Sequence, residues 1–155
     1  MSIARPTLFL PSEADTIALA NRIASLLRAG DVVLLAGPIG AGKSFFARAL
    51  IRARLGNPAE EVPSPTFTVV QTYQADGVEI WHCDLYRLSS TQDVFELGLD
   101  DAFTQAICLI EWPDRLGDLA PADAIVLTFQ AKDDYHSVTF SGSAPWAKRL
   151  ESILG

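Results

Sequence analysis

Two stretches of the chain, residues 32–35 and 106–110, are apolar without interruption, and the remaining pattern is arranged around them. Short uninterrupted runs of this kind predict strands covered on both faces of a parallel sheet. Ile17, Ala20, Ile23, Ala24 and Leu27 recur instead at helical spacing, which predicts one apolar stripe reaching Arg28. Ser12 supplies an N-cap for that helix, Glu13 and Asp15 place anions in its first turn, and Ala29-Gly30 stops it. A second helix is predicted over Lys43–Leu55, ended by the breaker Gly56-Asn57-Pro58. Ser90 or Thr91 caps a short helix over residues 92–97, Gly98 ends it, and residues 100–104 start another turn. Residues 145–154 read as a terminal amphipathic helix with Trp146, Leu150 and Leu154 inward. Thr7–Leu10 reads as an edge strand, and residues 68–73 and 78–82 as a hairpin about 74–77. Residues 124–129 and 135–140 form another hairpin about Lys132, Asp133 and Asp134, and this tail reads as scaffold.

The first apolar run ends in a sequence with chemical meaning. Gly37-x-x-x-x-Gly42-Lys43-Ser44 comes after a buried strand and opens a helix, the setting that a phosphate-binding loop requires. Gly37, Gly40 and Gly42 permit backbone angles that let successive N–H groups converge on one anion. Pro38, Ile39 and Ala41 occupy the places between them, and Phe45 is the first residue beyond the motif. Lys43 brings a compact positive charge to the β- and γ-phosphates, and Ser44 offers a hydroxyl to Mg²⁺. The positive end of the helix dipole faces the same anion.

Other candidates stand at or just beyond the strand ends. Pro63 and Pro65 hold residues 62–68 extended. That segment reads either as a switch whose Thr66 meets Mg²⁺ and a γ-phosphate, or as a Pro-rich connection with capping hydroxyls. Asp84 ends a strand near the loop, where it is either a Mg²⁺-binding carboxylate or a turn cap. His82 has a plain reading as a core histidine, and Arg87 as a structural partner for an acid. The second apolar run passes into Glu111-Trp112-Pro113, an apolar strand ending in an acid as in a Walker B segment. Glu111 is then suited to hold a Mg²⁺-bound water or to orient an attacking one, and Trp112 to stack on a ring or cap the core.

Composition narrows the class. At 155 residues and 49% hydrophobic, the chain suits a single globular domain over residues 1–155, with no linker, repeat or low-complexity segment. No apolar run approaches the ~20 residues of a membrane span. The opening Met1-Ser-Ile-Ala-Arg-Pro lacks the order of a signal peptide, which leaves a cytoplasmic location as the expectation. Cys83 and Cys108 each sit in an apolar segment and are expected as buried free thiols. Twelve Lys and Arg against nineteen Asp and Glu give a formal charge of −7, unfavourable for a broad nucleic-acid interface. Arg48, Arg52 and Arg54 gather near Lys43 on one helix, as a local basic patch or as an ordinary solvated face.

G-P-I-G-A-G-K-S, S-P-T-F, H-C-D-L-Y-R-L, E-L-G-L-D-D and L-I-E-W-P-D-R-L, in this order and spacing, resemble the TsaE (YjeE) family. The resemblance covers about residues 12–116. It implies a small P-loop ATPase of tRNA threonylcarbamoyladenosine formation, acting with TsaB and TsaD and meeting tRNA only indirectly. It implies that residues 37–44 bind the phosphates of ATP, and that Ser44 and Thr66 approach Mg²⁺. Asp84 and Glu111 become the acidic groups for metal and water, Lys43 the charge on the phosphates, and Trp112 a neighbour of the nucleotide. The family pattern usually has Asp-Leu at Pro38-Ile39 and often Thr at Ser44; Ser keeps the hydroxyl.

Three rival classes make demands on the same residues. A small-molecule kinase needs an acceptor pocket and an Arg-bearing lid, for which there is no spare insertion. A GTPase needs its guanine motif, and Asn-Lys-x-Asp is absent; Asp114-Arg-Leu-Gly117 lies beyond the strand end. A nucleotide-dependent interaction module with slow hydrolysis overlaps the ATPase reading. The expected fold is α/β, a P-loop NTPase-like, mainly parallel sheet flanked by helices with antiparallel hairpin additions.

Overall fold

The computed structural model describes residues 6–154; the opening stretch read above for a signal peptide lies, but for Pro6, outside them. Seven strands share one sheet: β1 (Thr7–Leu10), β2 (Val32–Ala36), β3 (Val70–Ala75), β4 (Val78–Asp84), β5 (Ile107–Glu111), β6 (Ile125–Ala131) and β7 (His136–Ser141). Their spatial order is β1-β7-β6-β2-β5-β4-β3. The central strands β6, β2, β5 and β4 are mutually parallel. Antiparallel pairs extend both edges, β7 and β1 on one side and β3 on the other. This is the expected architecture.

Alternation along β2 explains how both faces are filled. Val33 and Leu35 point into the larger core, beneath α1 (Glu13–Ala24) and α2 (Lys43–Leu55), where Leu19, Ile23, Phe46 and Leu50 meet them. Val32 and Leu34 point the other way, into a core closed by α3 (Thr91–Glu96) and α4 (Leu99–Gln105) through Val94, Leu99 and Ala102. Cys83 and Cys108 sit in this second core as buried free thiols. Burial raises both thiols, Cys108 to about 12, so neither is a ready nucleophile.

Several boundaries differ from the sequence pattern for local reasons. Helix α1 stops at Ala24 rather than Arg28, because Arg54 donates to the carbonyls of Ala24 and Leu27 and so takes over the end of the helix. Leu27 stays buried in the turn beyond, so the apolar stripe is right although the helix is shorter. Strand β3 starts later than predicted, after Val69 at φ 70, and continues to Ala75. The loop is then only Asp76-Gly77, both at positive φ, a tight hairpin turn whose twist matches the strands. The terminal helix breaks at Leu150 into α5 (Ala144–Arg149) and α6 (Glu151–Leu154), with Trp146 and Leu150 buried and Leu154 only partly so. Residues Pro113–Leu119 form a 3-10 segment, kinked at Gly117.

The C-terminal segment is tied to the foot of β2. Arg149 donates to Asp31 through Nη1 at 2.9 Å and Nη2 at 2.6 Å, and through Nη2 to the Leu26 carbonyl at 2.7 Å. Its guanidinium also stacks on Trp146, 4.1 Å from the ring centroid. Asp31 accepts in addition from the Arg28 N–H at 2.8 Å. Asp31→Ala strips acceptors from two elements, one of them charged, and should lower stability by roughly 2 kcal/mol. Urea denaturation would read this as a lower midpoint at unchanged slope. An unshifted midpoint would show that the contact adds nothing to the fold.

Candidate functional site

The loop between β2 and α2 is held tightly from below. Gly37 has φ 129, and a Cβ there would collide with the carbonyl of Phe129 on β6, so only glycine fits. Gly42 is the N-cap of α2 at φ 104, with no side-chain cap and no acid in the first turn. Helix α1 is finished differently: Ser12 and Asp15 form a reciprocal capping box. The opening N–H groups of α2 therefore meet no capping side chain, the condition in which a helix end receives an anion.

Lys43 is 5% exposed and folds back on the loop. Its Nζ donates to the Gly37 carbonyl at 2.5 Å and lies 3.6 Å from the centroid of the Trp112 ring. Burial lowers its pKa, partly offset by the carboxylates of Glu111, Asp84 and Asp114. Trp112 holds its ring there from the left-handed region, at φ 58 and ψ 56, and packs on Tyr86 with 4.8 Å between ring centroids.

The two candidate acids stand side by side because of strand register. Glu111 pairs with Leu35 on β2 and with Asp84 on β4, so three parallel strands end at one level. Glu111 is buried and both its oxygens are engaged, Oε1 by the Ser44 hydroxyl at 2.7 Å and Oε2 by His82 Nε2 at 2.7 Å. Asp84 accepts from the Tyr86 N–H at 3.0 Å and from the Thr66 hydroxyl at 3.4 Å. Thr66 is also 2.8 Å from Ser64. Hard oxygen donors from Ser44, Asp84, Glu111 and Thr66 thus converge, a set suited to Mg²⁺ completed by phosphate oxygens. His82 is a core histidine that also grips a site residue. Among the described residues Arg87 meets no acid: it donates to the Phe67 carbonyl at 3.3 Å, next to Thr66.

A cleft of about 820 Å³ joins these groups. Ile39, Gly40, Ala41, Gly42, Lys43, Ser44 and Phe45 line it, as do Thr66, Asp84, Glu111 and Trp112. Gly37 and Pro38 do not; Gly37 lies beneath the loop as a carbonyl acceptor for Lys43, and Pro38 stands outside the lining. The far wall corrects the reading of the tail as scaffold. Because β6 pairs with β2 in parallel, its turn into β7 rises beside the loop and brings Lys132, Tyr135 and His136 to the cleft. His136 packs over Gly42, 3.3 Å from where a Cβ would stand. The start of α1 contributes Glu13 and Thr16. No local motif marks these residues; the run of Lys132, Asp133 and Asp134 signals only a turn.

The fold is that of an α/β protein, a seven-stranded sheet parallel at its centre and flanked by helices. A sequence model for the family described as "Threonylcarbamoyl adenosine biosynthesis protein TsaE" matches residues 10–139. Relatives called "tRNA threonylcarbamoyladenosine biosynthesis protein TsaE" include one from Rickettsia bellii, 39% identical over 81% of this chain and 86% of its own. Another from Bacillus subtilis is 33% identical over 82% and 79%, and one from Haemophilus influenzae 30% over 96% of each. The crystal structure of YdiB from Bacillus subtilis superposes with TM-score 0.77 at 26% identity, covering 99% of this chain and 94% of that one. The chain belongs to the TsaE family, the group named for tRNA threonylcarbamoyladenosine biosynthesis. Among the described residues no helix is long and apolar enough to cross a membrane.

The Lys43–Trp112 contact is testable without any ligand. In a protein retaining only Trp112, through Trp81→Phe and Trp146→Phe, Lys43→Met removes the ammonium from the ring face. The emission maximum should shift; identical spectra would mean that the pair is not formed in solution.

Proposed function

We propose that this chain binds ATP with Mg²⁺ in the cleft and hydrolyses it, slowly alone and faster with TsaB and TsaD, as the nucleotide-driven subunit of tRNA threonylcarbamoyladenosine formation. The observation that carries the reading is the convergence on one cleft of an uncapped α2 N-terminus, Lys43, and the oxygen donors Ser44, Asp84 and Glu111. A location in the cytoplasm, with the tRNA itself, belongs to the same proposal, and tRNA is met through the partners rather than held directly, in keeping with the net charge of −7.

The phosphates lie on the loop, against the backbone N–H groups of residues 37–44 and the positive end of α2. Lys43 leaves the Gly37 carbonyl and the Trp112 face to meet the β- and γ-phosphates. Ser44, Asp84 and Glu111 would hold Mg²⁺, with Thr66 beside it, and the ion would supply charge neutralisation of the phosphates. Water attacks the γ-phosphorus in line, the bond to the β–γ bridging oxygen breaks, and ADP leaves with that electron pair. Glu111 orients the water, and Lys43 balances charge developing on the transferring group. Trp112, at the rim, lies beside the nucleotide.

ATP hydrolysis by the purified chain, alone and with TsaB and TsaD, tests this. Slow turnover that rises with the partners is expected, and chelating Mg²⁺ should stop it. Lys43→Ala should impair phosphate binding and abolish turnover, whereas Glu111→Ala should keep binding and lose about 10²–10³-fold in rate. Wild-type turnover by Glu111→Ala would remove that residue from the chemistry. Phosphate transfer to a metabolite instead of water would make the protein a kinase, and nucleotide binding with no turnover under any condition would make it an interaction module.

A further inference from the structure

His82 lies on β4 two residues before Asp84 and is fully buried. Its Nε2 is 2.7 Å from Glu111 Oε2, while its Nδ1 is buried and meets no partner among the described residues. A hydrogen on Nδ1 would be a buried donor with nothing to receive it, and would leave a bare Nε2 lone pair facing the Glu111 oxygen. The ring hydrogen therefore belongs on Nε2, donated to Glu111. The other oxygen of Glu111 accepts from Ser44, whose hydroxyl stands at the opening of α2 and faces the cleft. Of the two donors, His82 is the one sealed inside the sheet, away from the cleft lining.

From this geometry we infer that His82 is a positioning residue: its Nε2–H fixes Glu111 Oε2, so that Oε1 stays aimed at the Ser44 side of the cleft when the Ser44 hydroxyl is drawn away. The inference rests on the hydrolytic reading given under the proposed function. Without the His82 donor, Glu111 keeps its chemistry and its place in β5 but has one oxygen unmatched, and its side chain is free to turn. Ground-state binding through the loop is then little changed, and the loss falls on the step that needs the carboxylate in one orientation.

His82→Gln and His82→Leu separate this from packing. The Gln amide nitrogen reaches the place of the imidazole Nε2 and keeps a donor, whereas Leu fills the volume and donates nothing. His82→Leu should lose about 10–100-fold in kcat, with the dissociation constant for ATP within roughly threefold of wild type. His82→Gln should recover most of that loss. Equal kcat for Leu and wild type would overturn the inference, as would equal losses in both variants tracking lower melting temperatures. A second measurement needs no turnover. The chain has two histidines, so long-range ¹H–¹⁵N spectra of the ligand-free protein, assigned by the signal missing in His82→Gln, report the tautomer directly. A ring protonated at Nε2, whose Nε2 signal moves in Glu111→Gln, is expected. Protonation at Nδ1, or no response to Glu111→Gln, would overturn the assignment. If the wild-type chain fails to hydrolyse ATP under any condition, the proposed function falls, and the spectra alone then decide whether His82 holds Glu111.

Discussion

A carboxylate removed from water needs a donor on each oxygen, and Glu111 at 2% exposure has obtained both from other elements. Ser44 comes from the first turn of α2 and His82 from β4, so one side chain ties together the loop helix and two central strands. The tie exists only in one register. Pairing of Leu35 with Glu111 and of Glu111 with Asp84 sets all three strand ends level. A slip of one residue would turn Glu111 toward the α3–α4 core, among Cys108 and Ile110, and away from Ser44 and His82. The continuous apolar character of β2 and β5 would tolerate either face; the buried acid does not.

The loop is assembled against the same constraint from the other side. Gly37 is pressed to the Phe129 backbone, which lets β6 lie beside β2 and brings the β6–β7 turn to the cleft. Lys43 is confined between a carbonyl and an aromatic face, and burial makes its charge more costly than in water. Trp112 reaches that position from a left-handed backbone, which for a residue with a side chain costs about 1–2 kcal/mol. The strain sits next to Glu111 and directly before Pro113, whose ring disfavours the right-handed helical alternative. Strain here accompanies a buried cation folded back on its own loop and a carboxylate held by two donors.

Much of this architecture is legible in the chain itself. Uninterrupted runs locate β2 and β5, the glycine spacing locates the loop, and Ser12, with Ser90 or Thr91, locates two helix starts, because each signal arises within a few residues. Asp84 and Glu111 are legible as strand-end acids for the same reason. What stays hidden depends on contacts distant in sequence. His82 and Glu111 are 29 residues apart, so nothing local distinguishes a histidine that grips an acid from one that fills a core. Lys132, Tyr135 and His136 enter the cleft only because β6 joins β2 in parallel, a pairing that an alternating hairpin pattern does not announce. Helix α1 ends early through Arg54, far along the chain, where the apolar stripe alone would have carried it further.

The segment before β3 shows how a second left-handed residue couples to the site. Val69, β-branched and at φ 70, adopts a conformation that its side chain opposes. It is kept there from both directions: its N–H donates to the Pro65 carbonyl at 2.7 Å, and its carbonyl accepts from the Asp84 N–H at 2.8 Å. The Thr66 hydroxyl reaches the Asp84 carboxylate from the same turn, and Arg87 reaches back to the Phe67 carbonyl. Asp84 is therefore held by backbone and side chain to residues 65–69, while Phe67 at the tip is 83% exposed. The turn that carries the exposed tip also carries the acceptor for the Asp84 N–H, so the same hydrogen bonds hold the left-handed Val69 and place the acid.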